Sequence, residues 1–304
     1  MMRRTYIGVD IGSDQLTAVA MQRGRPAARL LGVKREAVAG ALQTSSRRPN
    51  VTEPRRFVEA LRRAIDPLAA KEERLAVALP DRCGRVYLLE VETPFKSHQE
   101  GVEILKWRLK GSLPASPQLV QLDYQLIERR EDGRLRCVVA ALAKPVLEQY
   151  EELIVAAGRH AVQVEFHSQS LYNYYRPRLD LGEEFLLLGV ERGLLSVIYV
   201  AGRALAYQRV REVPPEPELL FRELVRTLTE AAASCPGLVR CPVFAHLDPG
   251  LGEGVRDVLA AITEREVRVL EPHLKRFAGV VPAGLAPAGS LLAALGAAER
   301  LIIT

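Results

Sequence analysis

Cysteine, tryptophan and long apolar runs are scarce in this chain, and each scarcity removes a class of function. The four cysteines, Cys83, Cys137, Cys235 and Cys241, form no C-x-x-C pair, which removes zinc ribbons and dithiol redox motifs. Cys235 and Cys241 flank Pro236-Gly237, but no histidine pair accompanies them; free thiols in a reducing compartment are expected. Aromatic residues make up 6% of the chain and tryptophan occurs once. No basic stripe with interleaved aromatics is present, so no nucleic-acid partner is expected. The longest apolar stretches, Phe185–Val190 and Leu194–Ala201, are the length of a strand and too short to span a bilayer. No apolar leader follows Met1-Met2-Arg3-Arg4. The reading is a cytoplasmic chain that another protein would hold at a membrane.

What charge there is comes from arginine. The net charge of +5 is carried by scattered pairs, Arg47-Arg48, Arg55-Arg56, Arg62-Arg63 and Arg129-Arg130. Interleaved with glutamates, these read as solvated helix faces, with room for a weak attraction to an anionic surface or an acidic partner. Length (304 residues), a 48% hydrophobic fraction and 26% charged residues fit two domains, or one large domain with an insertion.

The most informative stretch is Tyr6–Ala20. It reads as a strand (Tyr6–Asp10), a tight turn (Ile11–Asp14) and a second strand (Gln15–Met21). An Asp at a strand end followed by Gly and a hydroxyl residue suits a phosphate-cradling hairpin. Glycine admits the phosphate close to the backbone, amides bond its oxygens, and the acid orients hydrated Mg²⁺. The same residues equally describe a plain β-hairpin in which Asp10 and Gly12 only serve the turn.

Further along, Leu31–Val38 reads as a third strand, Arg55–Ala70 as a helix with one buried face (Phe57, Leu61, Ile65, Leu68), and Arg74–Leu79 as a short strand. Arg85–Val91, Ser97–Leu109, Val120–Arg129 and Leu135–Ala143 read as strand, helix, strand and strand. A helix from Lys144 to about Ala157 and a strand at Ala161–Phe166 follow. From Phe185 the opening rhythm recurs: strand, turn at Glu191–Gly193, strand, turn at Ala201–Arg203, strand. That is an internal duplication. The five histidines are dispersed near helix ends and loops, and no catalytic constellation emerges. Leu171-Tyr-Asn-Tyr-Tyr175 reads as aromatic packing at a seam between halves, in preference to a base-stacking platform.

Taken in order, Gly8-Val-Asp-Ile-Gly-Ser13, Ala76-Val-Ala-Leu-Pro-Asp81, the Arg85–Phe166 unit, Gln163–Leu171 and the closing stretch Ala286–Arg300 resemble PilM-type proteins of type IV pilus machines, relatives of FtsA and of the cytoplasmic part of GspL. The resemblance implies an α/β actin-like (ribonuclease-H-like) duplicated fold with an inserted βαββ subdomain. Its divisions would be 1–82 for the first half, 83–166 for the insert, and 167–304 for the second half, with a terminal helix returning to the first.

The resemblance also implies a nucleotide cleft, here drawing on Asp10, Gly12, Ser13, Asp14, Gln15 and Glu191, with Mg²⁺-ATP as the one cofactor such a cleft takes. The pattern departs from the family's at several points. Thr17 stands where a Lys is usual. Asp14 puts a negative charge beside a phosphate, a repulsion of about 4 kcal/mol at 4 Å and ε ≈ 20. The second hairpin has Gly189-Val-Glu191-Arg-Gly193 in place of D-x-G, and Asp248-Pro-Gly-Leu-Gly252 replaces a triple-glycine turn. No cofactor and no metal are therefore expected, and an enzyme is not.

By the same resemblance, the partner is the cytoplasmic tail of a single-pass inner-membrane protein of the PilN type, together with pilus or secretion motor components. A groove drawing on Val86, Leu88, Val91, Ile104 and Trp107 would receive the tail. The rival class is a nucleotide-dependent switch or small-molecule kinase of the actin/Hsp70/sugar-kinase superfamily.

Overall fold

The computed structural model describes every residue except 1–3, 25–27, 93, 131, 180–181, 214–215, 249–250, 252, 275–276, 278–290 and 304. The first half opens with β1 (Thr5–Ile11), β2 (Gln15–Gln22) and β3 (Arg29–Ala37), then α1 (Pro54–Ala69) and β4 (Arg74–Leu79). Next come β5 (Gly84–Val91), α2 (His98–Leu109), β6 (Val120–Arg129), β7 (Leu135–Ala143), α3 (Lys144–Ala156) and β8 (His160–Phe166). The second half runs α4 (His167–Leu179), β9 (Phe185–Glu191), β10 (Leu194–Ala201), β11 (Ala204–Glu212), α5 (Pro217–Ser234), β12 (Val243–Leu247), α6 (Glu253–Thr263), β13 (Val267–Val269) and α7 (Leu292–Ile303).

Two five-stranded sheets have the same plan. The orders are β3-β2-β1-β4-β8 and β11-β10-β9-β12-β13, in each case an antiparallel meander followed by two parallel strands. Even an irregularity repeats. The register slips between Ala20 and Met21 on β2, and between Tyr199 and Val200 on β10, five residues into each middle strand. A β-bulge is a defined backbone feature that bends its strand, so its recurrence ties the halves together as copies. The central strands β1 and β9 are buried along nearly their whole length, as strands covered on both faces must be.

The insert is smaller than the sequence suggests. Residues 83–166 had been assigned to it, but β8 pairs in parallel with β4 in the first sheet. Helix α3 likewise buries Val146, Tyr150 and Ile154 in the first-half core, with Phe57 and Ile65 of α1. Apolar periodicity identifies such elements without saying which core they join. The βαββ unit is β5, α2, β6 and β7, a three-stranded sheet of order β5-β7-β6. Leu105 and Leu109 of α2 cover one face of that sheet, against Leu122, Cys137 and Val139.

Helix α7 locks the two halves. Its Leu292, Leu295 and Ala298 pack with Val19 and Met21 of the first sheet and Tyr174 of α4. Two glycines set the closeness: a Cβ on Gly8 would overlap the Ala294 carbonyl, and one on Gly296 would overlap the Ser170 carbonyl. The Pro249, Gly250 and Gly252 of the sequence's third glycine-containing turn, and residues 286–290 of its closing stretch, lie outside the described residues. Gly8→Ala and Gly296→Ala are each expected to destabilise the chain by about 3 kcal/mol or more, since no flexible side chain can give way. Urea unfolding monitored by circular dichroism checks this.

Candidate functional site

The sheet ends face each other across the cleft between the halves, and there the chain's own charges meet. Asp10, the penultimate residue of β1, is 0% exposed. Glu191 is the last residue of β9 on the other side, two positions beyond Gly189, which holds the ladder position that Asp10 has in the first sheet. The β9–β10 connection is a two-residue turn in which Arg192 and Gly193 both take positive φ (53° and 69°), the type I′ geometry that suits a twisted hairpin. The Arg192 amide donates to Asp248 Oδ2 at 2.8 Å, which fixes this residue in its left-handed conformation.

Held in this way, Arg192 reaches across to the first half. Its Nη2 donates to Asp10 Oδ2 at 2.6 Å. Its guanidinium lies over Gly12, where a Cβ would come within 3.2 Å of Nη1. The glycine that a phosphate would need thus admits an arginine from the other half. His167, the first residue of α4, completes the arrangement: Nδ1 lies 2.7 Å from Asp10 Oδ1. Its Nε2 stands 2.9 Å from Glu191 Oε1, an ion-pair contact out of hydrogen-bonding line. Glu191 Oε2 is 3.6 Å from His246 Nε2, and His246 Nδ1 is 2.9 Å from the Tyr175 hydroxyl.

The electrostatics follow from this geometry. Burial alone would push the His167 pKa down, but Asp10 and Glu191 outweigh it and raise it to about 10. His167 is therefore an imidazolium at neutral pH. Burial would raise both carboxylates, yet Arg192 and then His167 hold Asp10 below its ordinary range, and His167 holds Glu191 well below. Two anions and two cations thus balance in a largely buried site, with Arg192 alone partly exposed, which is the condition under which buried charge is tolerable.

Of the six nucleotide-cleft residues named from sequence, Asp10, Gly12 and Glu191 meet here. Ser13 and Asp14 lie exposed on the β1–β2 turn, with the Ser13 hydroxyl donating to Asp14 Oδ2 at 3.2 Å, and the Gln15 amide turns to the Thr17 hydroxyl. The cavity beside the cluster is about 50 Å³, lined by Gly12, Ser13, Asp81, Ser168, Glu191 and Arg192. Among the described residues no three His, Cys, Asp or Glu side chains converge as metal ligands. The sequence places the histidines apart, near helix ends and loops. His167 and His246 are instead buried in the cleft, brought there by long-range packing that no local spacing announces.

The residues named for a partner groove do not all share one surface, although Val86 and Leu88 both line a groove of about 420 Å³ between β5 and the second half. Val91 lies in the core beneath α2, and Leu88 packs into the core between the insert and the second half. Ile104 and Trp107 sit on the outer face of α2, 42% and 71% exposed, with Lys110 Nζ 5.6 Å above the indole ring. Of the five, Val86 lines the open groove of about 360 Å³ between the free face of the inserted sheet, β8 of the first half, and α4 and the start of β11 in the second. Leu126, Val138, Phe166, Tyr172 and Leu205 line it too.

The sign of the pH dependence follows from His167. Its pKa is raised on folding, so its contribution is complete below about pH 6.5 and is lost progressively as pH rises toward 10. The contributions of Asp10 and Glu191, whose pKa values are lowered, are present above the carboxylate range and lost on acidification. Thermal unfolding should show the melting temperature falling between pH 6.5 and 9, and His167→Gln should both lower the plateau and flatten that alkaline slope.

No protein-family model and no curated protein sequence matches the chain. Solved structures do. A chain of the PilM-PilN type IV pilus biogenesis complex aligns with 19% identity over 98% of this chain and 99% of that one, at a TM-score of 0.78. A Bacteroides thetaiotaomicron protein with an actin-like ATPase fold aligns at 12% identity over 89% of this chain and 92% of that one, with a TM-score of 0.55. The cytoplasmic domain of EpsL, an inner-membrane component of the Vibrio cholerae type II secretion system, aligns at 14% identity over 97% and 94%, with a TM-score of 0.50. The resemblance drawn from the sequence holds in the architecture: the chain has the actin-like duplicated fold, in the form seen in the PilM-PilN complex.

Proposed function

We propose that this protein is a non-enzymatic scaffold of a type IV pilus or type II secretion-like assembly at the inner membrane. It would bind the cytoplasmic tail of a single-pass membrane protein. The observation that carries the reading is the contrast between its two clefts. The Asp10 end of the nucleotide cleft is filled from within by Arg192 and His167, leaving about 50 Å³ there; the cavity of about 800 Å³ that adjoins it at Asp81, Arg82 and Leu194 reaches neither Asp10 nor Gly12. Pockets that hold small molecules measure about 300–1,000 Å³. Mg²⁺ at Asp10 would have to displace a guanidinium and face an imidazolium, so these side chains do not fit Mg²⁺-ATP as they stand. The groove against the inserted sheet is open, with apolar Leu126, Val138, Phe166 and Leu205 set among Asp123, Glu165, Gln169 and Arg176, and its size suits a few side chains of an extended segment.

Two of the fold's relatives support the setting: one lies in a complex of PilM with PilN, the other in an inner-membrane secretion component. Among the described residues no helix is long and apolar enough to cross a membrane, which accords with attachment through a partner. A tail that orders only on binding would spend part of its interaction energy on that ordering. The contact would then be reversible.

Calorimetry separates the two classes of function. Mg²⁺-ATP should give no binding heat; heat that disappears in Asp10→Ala would instead make the chain a nucleotide-gated switch. A synthetic peptide of the tail from the cognate single-pass protein should bind. Leu126→Glu, at the groove edge and 46% exposed, should weaken it at least about tenfold, because a charge would be buried against the groove's apolar residues. Trp107→Ala, on the outer face of α2, should leave it unchanged.

A further inference from the structure

Three of the four arginine pairs that look scattered in the sequence gather on one ridge of the first half. Residues 45–63 contain six arginines against Glu53 and Glu59, a surplus of +4 where the whole chain carries +5. All six are exposed. At about 100° per residue, Arg55, Arg56, Arg62 and Arg63 fall within an arc of about 120° on α1. That arc lies opposite the buried Phe57, Leu61, Ala64 and Ile65. Arg47 and Arg48 project from the loop that leads into the same helix.

That loop is built to present them. Asn50, 0% exposed, donates through Nδ2 to the carbonyls of Ser45 and Arg48 at 2.8 and 2.7 Å, and accepts from the Ser45 amide at 3.1 Å. The Ser45 hydroxyl accepts from the amides of Arg47 and Arg48. Gln149 of α3 receives the amides of Asn50 and Val51 at 2.6 and 2.8 Å. None of these bonds uses an arginine side chain, so the guanidinium groups are left for something outside.

The acids nearby neutralise only part of the ridge. Arg56 pairs with Glu53 and Arg63 with Glu36, while Asp66 is taken by Arg159. Glu59 shares the arc with no ion pair among the described residues. Arg47, Arg48 and Arg55 have no carboxylate partner among them either, and Arg62 donates to a carbonyl, that of Ala156. None of the cavities described above is lined by any of the six arginines. The ridge has no aromatic platform for bases. A broad anionic plane therefore fits it better than a single small anion or a nucleic-acid strand.

We propose that this ridge is a docking face for the anionic phospholipid headgroups of a membrane, whose phosphates each guanidinium can bind in bidentate fashion. The contact is a second one, additional to any protein tail, and needs neither the groove nor the cleft. Six exposed arginines on an amphipathic helix and its leading loop lie within the range in which basic clusters hold to anionic leaflets, and the attraction fades within a Debye length.

Co-sedimentation of the full chain with vesicles tests this without any partner. The wild type should sediment with vesicles containing phosphatidylglycerol, not with phosphatidylcholine alone, and high salt should release it. The triple variant Arg47→Gln, Arg48→Gln, Arg55→Gln should bind about a hundredfold more weakly, from about 1 kcal/mol per arginine. The corresponding triple Lys variant should keep most of the binding. A control with the exposed Arg129, Arg240 and Arg256 changed to Gln removes the same net charge elsewhere and should bind like the wild type. The proposal fails if the wild type ignores phosphatidylglycerol, or if the control loses as much as the ridge variant. Binding to heparin or DNA without binding to vesicles would also overturn it, by assigning the ridge to a soluble polyanion.

Discussion

The architecture turns on an ion pair made between the two halves of a duplicated chain. Asp10 and Glu191 lie at the ends of corresponding strands, and each would be a costly buried anion alone. Arg192 and His167 neutralise them from across the cleft and from the helix at its base. In a fold of this kind a ligand can bridge the halves; here side chains do it. The closed state is then written into the covalent chain, and its occupancy does not depend on the concentration of a bridging ligand. The same pairing explains two local features that otherwise look arbitrary, the left-handed Arg192 and the bare backbone at Gly12.

Much of the fold was legible in the sequence, because strand and helix periodicity are local. The opening hairpin, the recurrence from Phe185 and the strand–helix–strand–strand insert all follow from alternation, turn residues and helical spacing. Membership was not legible. β8 reads as a strand wherever it pairs, and only its parallel partner β4 places it in the first sheet. The α3 face made by Val146, Tyr150 and Ile154 would suit either neighbouring core.

The cleft was legible by half. Asp10 and Gly12 stand in a recognisable local pattern, and Glu191 follows from the duplication. His167 and His246 lie 79 residues apart and carry no spacing that marks them. Arg192 reads as an ordinary polar turn residue until its φ and its reach are known. Trp107 shows the opposite failure. A lone tryptophan on an amphipathic helix suggests core or groove, yet it lies outside, beneath a lysine. Charge patterning misled for a related reason: pairs seven residues apart look dispersed on paper and coincide on a helix surface.

Helix α7 carries a consequence for how the molecule comes into being. It follows every other described element in the chain, yet it packs on β1 and β2, which precede all the others described, with backbone approaches that tolerate only Gly8 and Gly296. During synthesis the opening hairpin must wait, with one apolar face unsealed, for nearly the entire remainder to emerge. Until then Val19 and Met21 are an adhesive surface on a nascent chain, of the kind that draws chaperones and invites exchange between neighbours on one messenger. Completion of α7 is thus the event that turns two tethered halves into one body.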